Sequence, residues 1–102
     1  MKFDKTDEFA ADWKSMPVDH RRIFRSLMPA FNAACEAYIG DPGRPWPANL
    51  RVKPMINSTG IWEMTWSFSG PDGRATFEFF QIDGETAVRW RRIGHHGIYQ
   101  NP

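Results

Sequence analysis

Between Arg89 and Tyr99 the chain reads Arg89-Trp90-Arg91-Arg92-Ile93-Gly94-His95-His96-Gly97-Ile98-Tyr99, a run holding three arginines, two histidines and a tyrosine. Guanidiniums at that density repel one another unless an anion neutralises them, and phosphate suits their planar donors because its oxygens can be bound in pairs. Imidazoles exchange protons near neutral pH, and Gly94 allows a sharp backbone turn just before His95 and His96. Together these groups point to an RNA phosphodiester. The competing reading gives the arginines carboxylate partners across neighbouring strands, Glu63, Glu78 and Glu85, with Gly94 opening a surface turn. Tyr99 is open to three uses: stacking on a base, donating a proton, or closing the end of a sheet. His20, beside Arg21 and Arg22, reads as solvated surface.

The rest of the composition bounds what can position these groups. With 102 residues the chain is one domain, 1–102, large enough for a single core. Thirteen Lys plus Arg against 12 Asp plus Glu leave a formal charge of +1, too little for broad nonspecific nucleic-acid binding, so any attraction must be local. A hydrophobic share of 41% excludes a disordered chain. No apolar run reaches the roughly 20 residues of a membrane span, and Met1 to Asp12 is charged where a signal peptide is apolar, so a cytoplasmic protein is expected. One cysteine and three histidines offer neither a disulfide nor a zinc pattern, and neither metal nor cofactor is expected. Cys35 falls on a helical apolar stripe and reads as buried and inert.

Up to about residue 40 the apolar period is helical; beyond it the pattern alternates. A first helix is expected over Asp7 to Met16, capped by Asp4 or Thr6 and ended by Met16-Pro17. A second is expected from an Asp19 cap to Gly40, its stripe formed by Phe24, Leu27, Met28, Phe31, Cys35 and Tyr38, with a bend or restart at Pro29 and a left-handed turn at Gly40. From Leu50 onward four extended segments follow, separated by Asn57-Ser58-Thr59-Gly60, Gly70-Pro71-Asp72-Gly73 and Asp83-Gly84. Trp62, Met64, Trp66 and Phe68, then Ala75, Phe77 and Phe79, then Val88 and Trp90, form one apolar face, interrupted by Phe80. Trp46, between two prolines, reads as a sheet-edge cap or a partner contact. The expectation is an α+β fold, two N-terminal helices on one face of a four-stranded antiparallel sheet. The other face is left open and displays Glu63, Thr65, Thr76, Glu78, Arg89 and Arg91, joined by Arg51 and Lys53 if Leu50 and Val52 point inward.

Three segments, in order, resemble motifs of the RelE/ParE superfamily of bacterial toxin–antitoxin toxins, particularly its RelE and HigB-like ribonucleases. Gly60-Ile61-Trp62-Glu63-Met64 resembles the family's entry to a central strand. Gly73-Arg74-Ala75-Thr76-Phe77 resembles the strand that follows. Ile93-Gly94-His95-His96-Gly97-Ile98-Tyr99 is similar to a HigB-type ending. The likeness covers most of the chain and implies the same α+β fold. It departs at Thr65, where the family often has Arg, and at His95, where the ending has Thr.

By this resemblance Arg74 takes the family's phosphate-binding position, His96 its proton-transfer histidine and Tyr99 its C-terminal tyrosine. The implied activity is ribosome-dependent mRNA cleavage by 2′-hydroxyl attack, which needs no metal. His96 would transfer protons with Tyr99, Glu63 or Lys53 as its counterpart. Arg74, Arg89 and Arg91 would neutralise the phosphorane, while Arg51, Lys53, Arg92 and His95 would bind RNA. The implied partners are mRNA, the ribosome and a cognate antitoxin covering the basic face, with the chain a monomer or in a small complex. The alternative is a noncatalytic or ParE-like toxin that grips a protein such as gyrase.

Overall fold

Thr6 starts the first helix through its side chain: its hydroxyl accepts from the Phe9 amide at 3.1 Å and donates to the Arg91 carbonyl at 2.6 Å, so one residue caps the helix and ties it to a distant strand. The computed structural model describes residues 1–66, 73–94 and 96–102, without the side chains of 96 and 97. Helix α1 covers Asp7–Ser15 and ends as expected at Met16, extended before Pro17. Helix α2 covers Val18–Gly40. Its cap is Pro17 rather than Asp19: the preset proline φ of −56° leads straight into the helix, and the Pro17 carbonyl accepts the first bond, from Arg21. Asp19 stands instead in the first turn, where its negative charge complements the positive end of the helix dipole. The helix does not restart at Pro29 but runs through it, 23 residues in all. At its end Asp41, not a left-handed Gly40, closes the ladder with a bond to the Ala37 carbonyl, and its carboxylate accepts from Gly43 in an Asx turn.

The sheet has five strands: β1 (Lys2–Lys5), β2 (Lys53–Pro54), β3 (Trp62–Trp66), β4 (Gly73–Ile82) and β5 (Glu85–Gly94), in the order β1-β5-β4-β3-β2. The four expected strands are antiparallel, and β1 adds a fifth, parallel to β5, from Lys2 opposite Ala87 to Lys5 opposite Trp90. Lys2-Phe3-Asp4-Lys5 is exposed throughout, so no buried face writes an alternation into its sequence. A two-residue turn joins β4 to β5 with φ of 52° at Asp83 and 81° at Gly84, the pairing that Asp-Gly favours. Phe68 and most of the expected Gly70 to Gly73 turn lie outside the described residues.

Both helices lie over the apolar face. Phe31 meets the Phe77 ring edge-on at 5.1 Å and the Trp90 ring at 4.8 Å, while Phe24 reaches Trp66 at 5.3 Å and Trp90 at 5.1 Å. Each large side chain buried here contributes about 1.5–3 kcal/mol, and each aromatic pair about 0.5–1.5 kcal/mol more. Trp62, Trp66 and Trp90 are thus packing residues, and Trp46 packs on Tyr38 at 5.1 Å. Cys35 is fully buried, which pushes its thiol up to about 12.

Candidate functional site

Strand register sets the site. Lys53 of β2 faces Glu63 of β3, and two residues along β3 Thr65 faces Arg74 of β4. Alternation puts Glu63 and Thr65 on the sheet face opposite the helices. Leu50 and Val52 turn inward as supposed, Leu50 completely, which leaves Arg51 and Lys53 on the working face. Arg51 follows the 3-10 turn Ala48–Leu50 in the left-handed conformation, φ 47° and ψ 46°. A short 3-10 helix, His96–Gln100, carries Tyr99 over the same rows.

These elements enclose a cleft of about 390 Å³ lined by Arg51, Val52, Lys53, Glu63, Thr65, Arg74 and Tyr99. Lys53 Nζ lies 3.2 Å from Glu63 Oε1, with the lysine largely in solvent and the carboxylate nearly covered. The Tyr99 hydroxyl is hydrogen-bonded with Thr65 and Glu63. Burial first, then the negative charge of Glu63, raises the Tyr99 phenol above its ordinary range, against smaller opposing effects of Arg74 and Thr65. It therefore holds its proton at neutral pH and acts as a donor. The face is less open than the sequence suggests: Glu63, Thr65 and Thr76 are buried, and over Thr76 the Pro102 carbonyl accepts from its hydroxyl at 3.1 Å.

The arginines of β5 sit elsewhere. Arg89 Nη1 donates to Glu78 Oε1 at 3.0 Å and Arg91 Nη1 to Glu78 Oε2 at 2.8 Å, so one carboxylate serves two guanidiniums. Arg89 also reaches Asp4 at 3.3 Å and lies 4.0 Å over the Phe80 ring, which accounts for the outward aromatic that broke the alternation. Glu78, then Asp4, hold Arg89 more firmly protonated. Opposite Thr76 and Phe77 stand Arg92 and Trp90, so Arg91 is the extra residue of a β-bulge. Arg92 reaches back to α1, where Asp12 accepts from Nε at 2.6 Å and Nη2 at 3.1 Å.

The dense run at 89–99 is therefore divided in space. Arg89, Arg91 and Arg92 are bound to carboxylates, as the competing reading held in outline, although Glu63 pairs with Lys53 and Glu85 with Lys2 rather than with these arginines. Arg51, Lys53, Glu63, Arg74 and Tyr99 are brought together. His96 opens the helix that carries Tyr99, its side chain lying outside the described residues, as does His95 altogether. Sequence reasoning placed Thr65 beside Glu63 on the open face but gave it no part in the site; its position opposite Arg74, set by strand register, puts it in the cleft lining. Among the described residues no three of His, Cys, Asp and Glu are grouped to hold a metal ion, and no helix is long and apolar enough to cross a membrane.

No protein-family model matches the chain, and no curated protein sequence does. Among solved structures it is similar to the YoeB/ParE toxin from Agrobacterium tumefaciens, with a TM-score of 0.52 over 94% of this chain and 99% of that one. The two chains share one fold. At 13% identity the likeness is one of backbone, and the shared scaffold here carries its cleft on β2, β3, β4 and the closing 3-10 helix.

Proposed function

We propose that this chain is the toxin of a toxin–antitoxin pair and an endoribonuclease that cuts mRNA, on the ribosome, by 2′-hydroxyl attack. The observation that carries the reading is the cleft, where a covered carboxylate and a protonated phenol stand among three cationic side chains. Glu63 takes the proton of the ribose 2′-hydroxyl, the oxygen attacks phosphorus, and the 5′-oxygen leaves, giving a 2′,3′-cyclic phosphate and a 5′-hydroxyl. His96, at the start of the helix bearing Tyr99, protonates the leaving oxygen. Tyr99 donates a hydrogen bond to the phosphoryl group, and Arg74, Arg51 and Lys53 balance the charge of the phosphorane. Arg89 and Arg91 reach a phosphate only by giving up Glu78, so their part is to hold β4 and β5 together beneath the site. An antitoxin that silences the chain would cover this cleft.

The test is induced expression in a bacterial host, with message ends mapped and the same variants assayed on programmed ribosomes. Growth arrest with cyclic-phosphate ends is expected. Arg74→Ala and His96→Ala should each cost on the order of 100-fold in cleavage, and Arg89→Ala no more than about 5-fold beyond its effect on folding. Arrest with DNA damage and intact message would replace this reading with a gyrase-directed toxin. Full toxicity of His96→Ala would remove the proposed proton donor.

A further inference from the structure

A second depression lies on the other side of the molecule, and it shares no lining residue with the cleft. It has a volume of about 380 Å³, and its floor is aromatic: Phe9 of α1, Phe24 of α2 and Trp90 of β5. Trp13 forms one wall, stacked on Phe9 at 6.1 Å and under the Arg25 guanidinium at 5.1 Å. The rim is cationic, with Lys5 at the end of β1, Lys14 at the end of α1 and Arg25 on α2. Among the described residues no acidic one lines it.

The state of those three cations separates this surface from the arginine-bearing strand β5. Arg89, Arg91 and Arg92 are matched to carboxylates at 2.6–3.3 Å. Among the described residues, Lys5, Lys14 and Arg25 form no ion pair; the one interaction of Arg25 is with the Trp13 ring. Three unneutralised positive charges around an apolar floor define their complement: an anionic ligand with a bulky apolar body. Its shape is elongated, because a shallower depression continues from the groove along β1, sharing Lys5, Phe9 and Trp90 and ending at the half-exposed Phe3. The one acid lining that extension, Asp4, is already held by Arg89. A compact anion fills one depression, whereas a chain with side chains a few ångströms apart fills both.

We infer that the groove between α1, α2 and β1 docks an acidic peptide segment of another protein, with aromatic or aliphatic side chains on the Phe9–Phe24–Trp90 floor and carboxylates against Lys5, Lys14 and Arg25. The inference is independent of the nuclease reading, since it uses no residue of the cleft.

The experiment is selection from a displayed random-peptide library against the full chain, in parallel with its Lys5→Glu/Lys14→Glu/Arg25→Glu variant. All three side chains are solvent-facing, so the variant should keep its melting transition; Lys5→Glu/Lys14→Glu, which spares the Arg25–Trp13 contact, serves if it does not. The wild-type pool should be enriched in Asp and Glu next to Trp, Phe or Leu, and the variant pool should lack them. A synthetic peptide from the first pool should bind about tenfold or more weaker to the variant, and comparably weaker to wild type when salt rises from about 0.1 to 1 M and the screening length falls from about 10 to 3 Å. Identical pools, salt-insensitive binding, or enrichment of basic peptides overturns the inference. So does a groove that takes anionic lipid vesicles or 8-anilinonaphthalene-1-sulfonate with charge dependence while the library yields no acidic peptide.

Discussion

Lys53 Nζ lies 3.2 Å from Glu63 Oε1 across the β2–β3 pair, and the two residues are direct register partners. The lysine is two-thirds exposed and the carboxylate nearly covered, so the pair has an outer, mobile member and an inner, fixed one. Glu63→Gln keeps the shape and the hydrogen-bonding capacity but cannot accept the ribose proton. Cleavage should fall on the order of 100-fold or more with the melting temperature within a few degrees of wild type. Lys53→Ala should cost less, about tenfold, because Arg51 and Arg74 still face the phosphate. Single-turnover cleavage of a programmed message measures both; a larger loss for Lys53→Ala than for Glu63→Gln would mean that the lysine, not the carboxylate, does the chemistry.

Tyr99 makes a prediction about pH. Burial and Glu63 raise its phenol above the ordinary value of 10.0, so the folded protein keeps this proton when the unfolded chain would have lost it. The associated stability is fully present below pH 10, and is lost as pH climbs through 10 toward the higher folded value. Thermal melts of wild type and Tyr99→Phe should therefore run parallel from pH 7 to about 9.5 and converge above it, since the phenylalanine variant has no such proton to lose. Tyr99→Phe should also lower cleavage by about tenfold at neutral pH, the loss of one donor to the phosphoryl group. Curves that stay parallel to the alkaline limit would remove the proposed environment of Tyr99.

How much of this was legible in the sequence differs between elements for physical reasons. Thr6, Met16-Pro17, Asp83-Gly84 and the alternation around Met64, Phe77 and Val88 act through neighbours a few residues away, and the helices, hairpin and core face follow from them. The cleft was half legible, because alternation puts Glu63 and Thr65 on one face but only register brings Lys53 opposite the first and Arg74 opposite the second. Which carboxylate takes Arg89 and Arg91 was not legible. Glu63, Glu78 and Glu85 were all open as partners, beside the anion-site reading, and only the β4–β5 register sets Glu78 between the two guanidiniums. Strand β1 left no trace either, for its ladder to β5 is made by backbone groups and its side chains are all exposed.

Gly73 stands opposite Trp66 in the β3–β4 ladder, and the indole lies flat against it: a Cβ built there would come within 3.0 Å of three indole ring atoms. The ring is 2% exposed and packed against Phe24, so it cannot swing aside without opening the core. Gly73→Ala should cost about 1–3 kcal/mol, a fall in melting temperature of about 4–8 °C per kcal/mol for a domain of this size. Trp66→Leu in the same background makes room for the methyl group and should recover part of that loss. A Gly73→Ala protein as stable as wild type would show that the ring is free to move.

Arg51 holds a left-handed backbone conformation that costs a residue with a Cβ about 1–2 kcal/mol, and it does so at the rim of the cleft, where the sharp turn after Leu50 returns the chain toward Lys53. Two substitutions separate the backbone from the side chain. Arg51→Ala removes the guanidinium and keeps the strain; Arg51→Gly removes both, at the expense of about 0.5–1 kcal/mol in unfolded-chain entropy. Glycine should therefore be the more stable variant, by up to about 1 kcal/mol in urea unfolding, because relief of the strained φ exceeds the entropic loss. Cleavage should fall by the same factor, about tenfold, in both, since the cation is gone from each. If alanine proves as stable as glycine, the turn has relaxed and the strain is not what holds Arg51 at the cleft; if glycine alone retains cleavage, the backbone path matters to the chemistry more than the charge does.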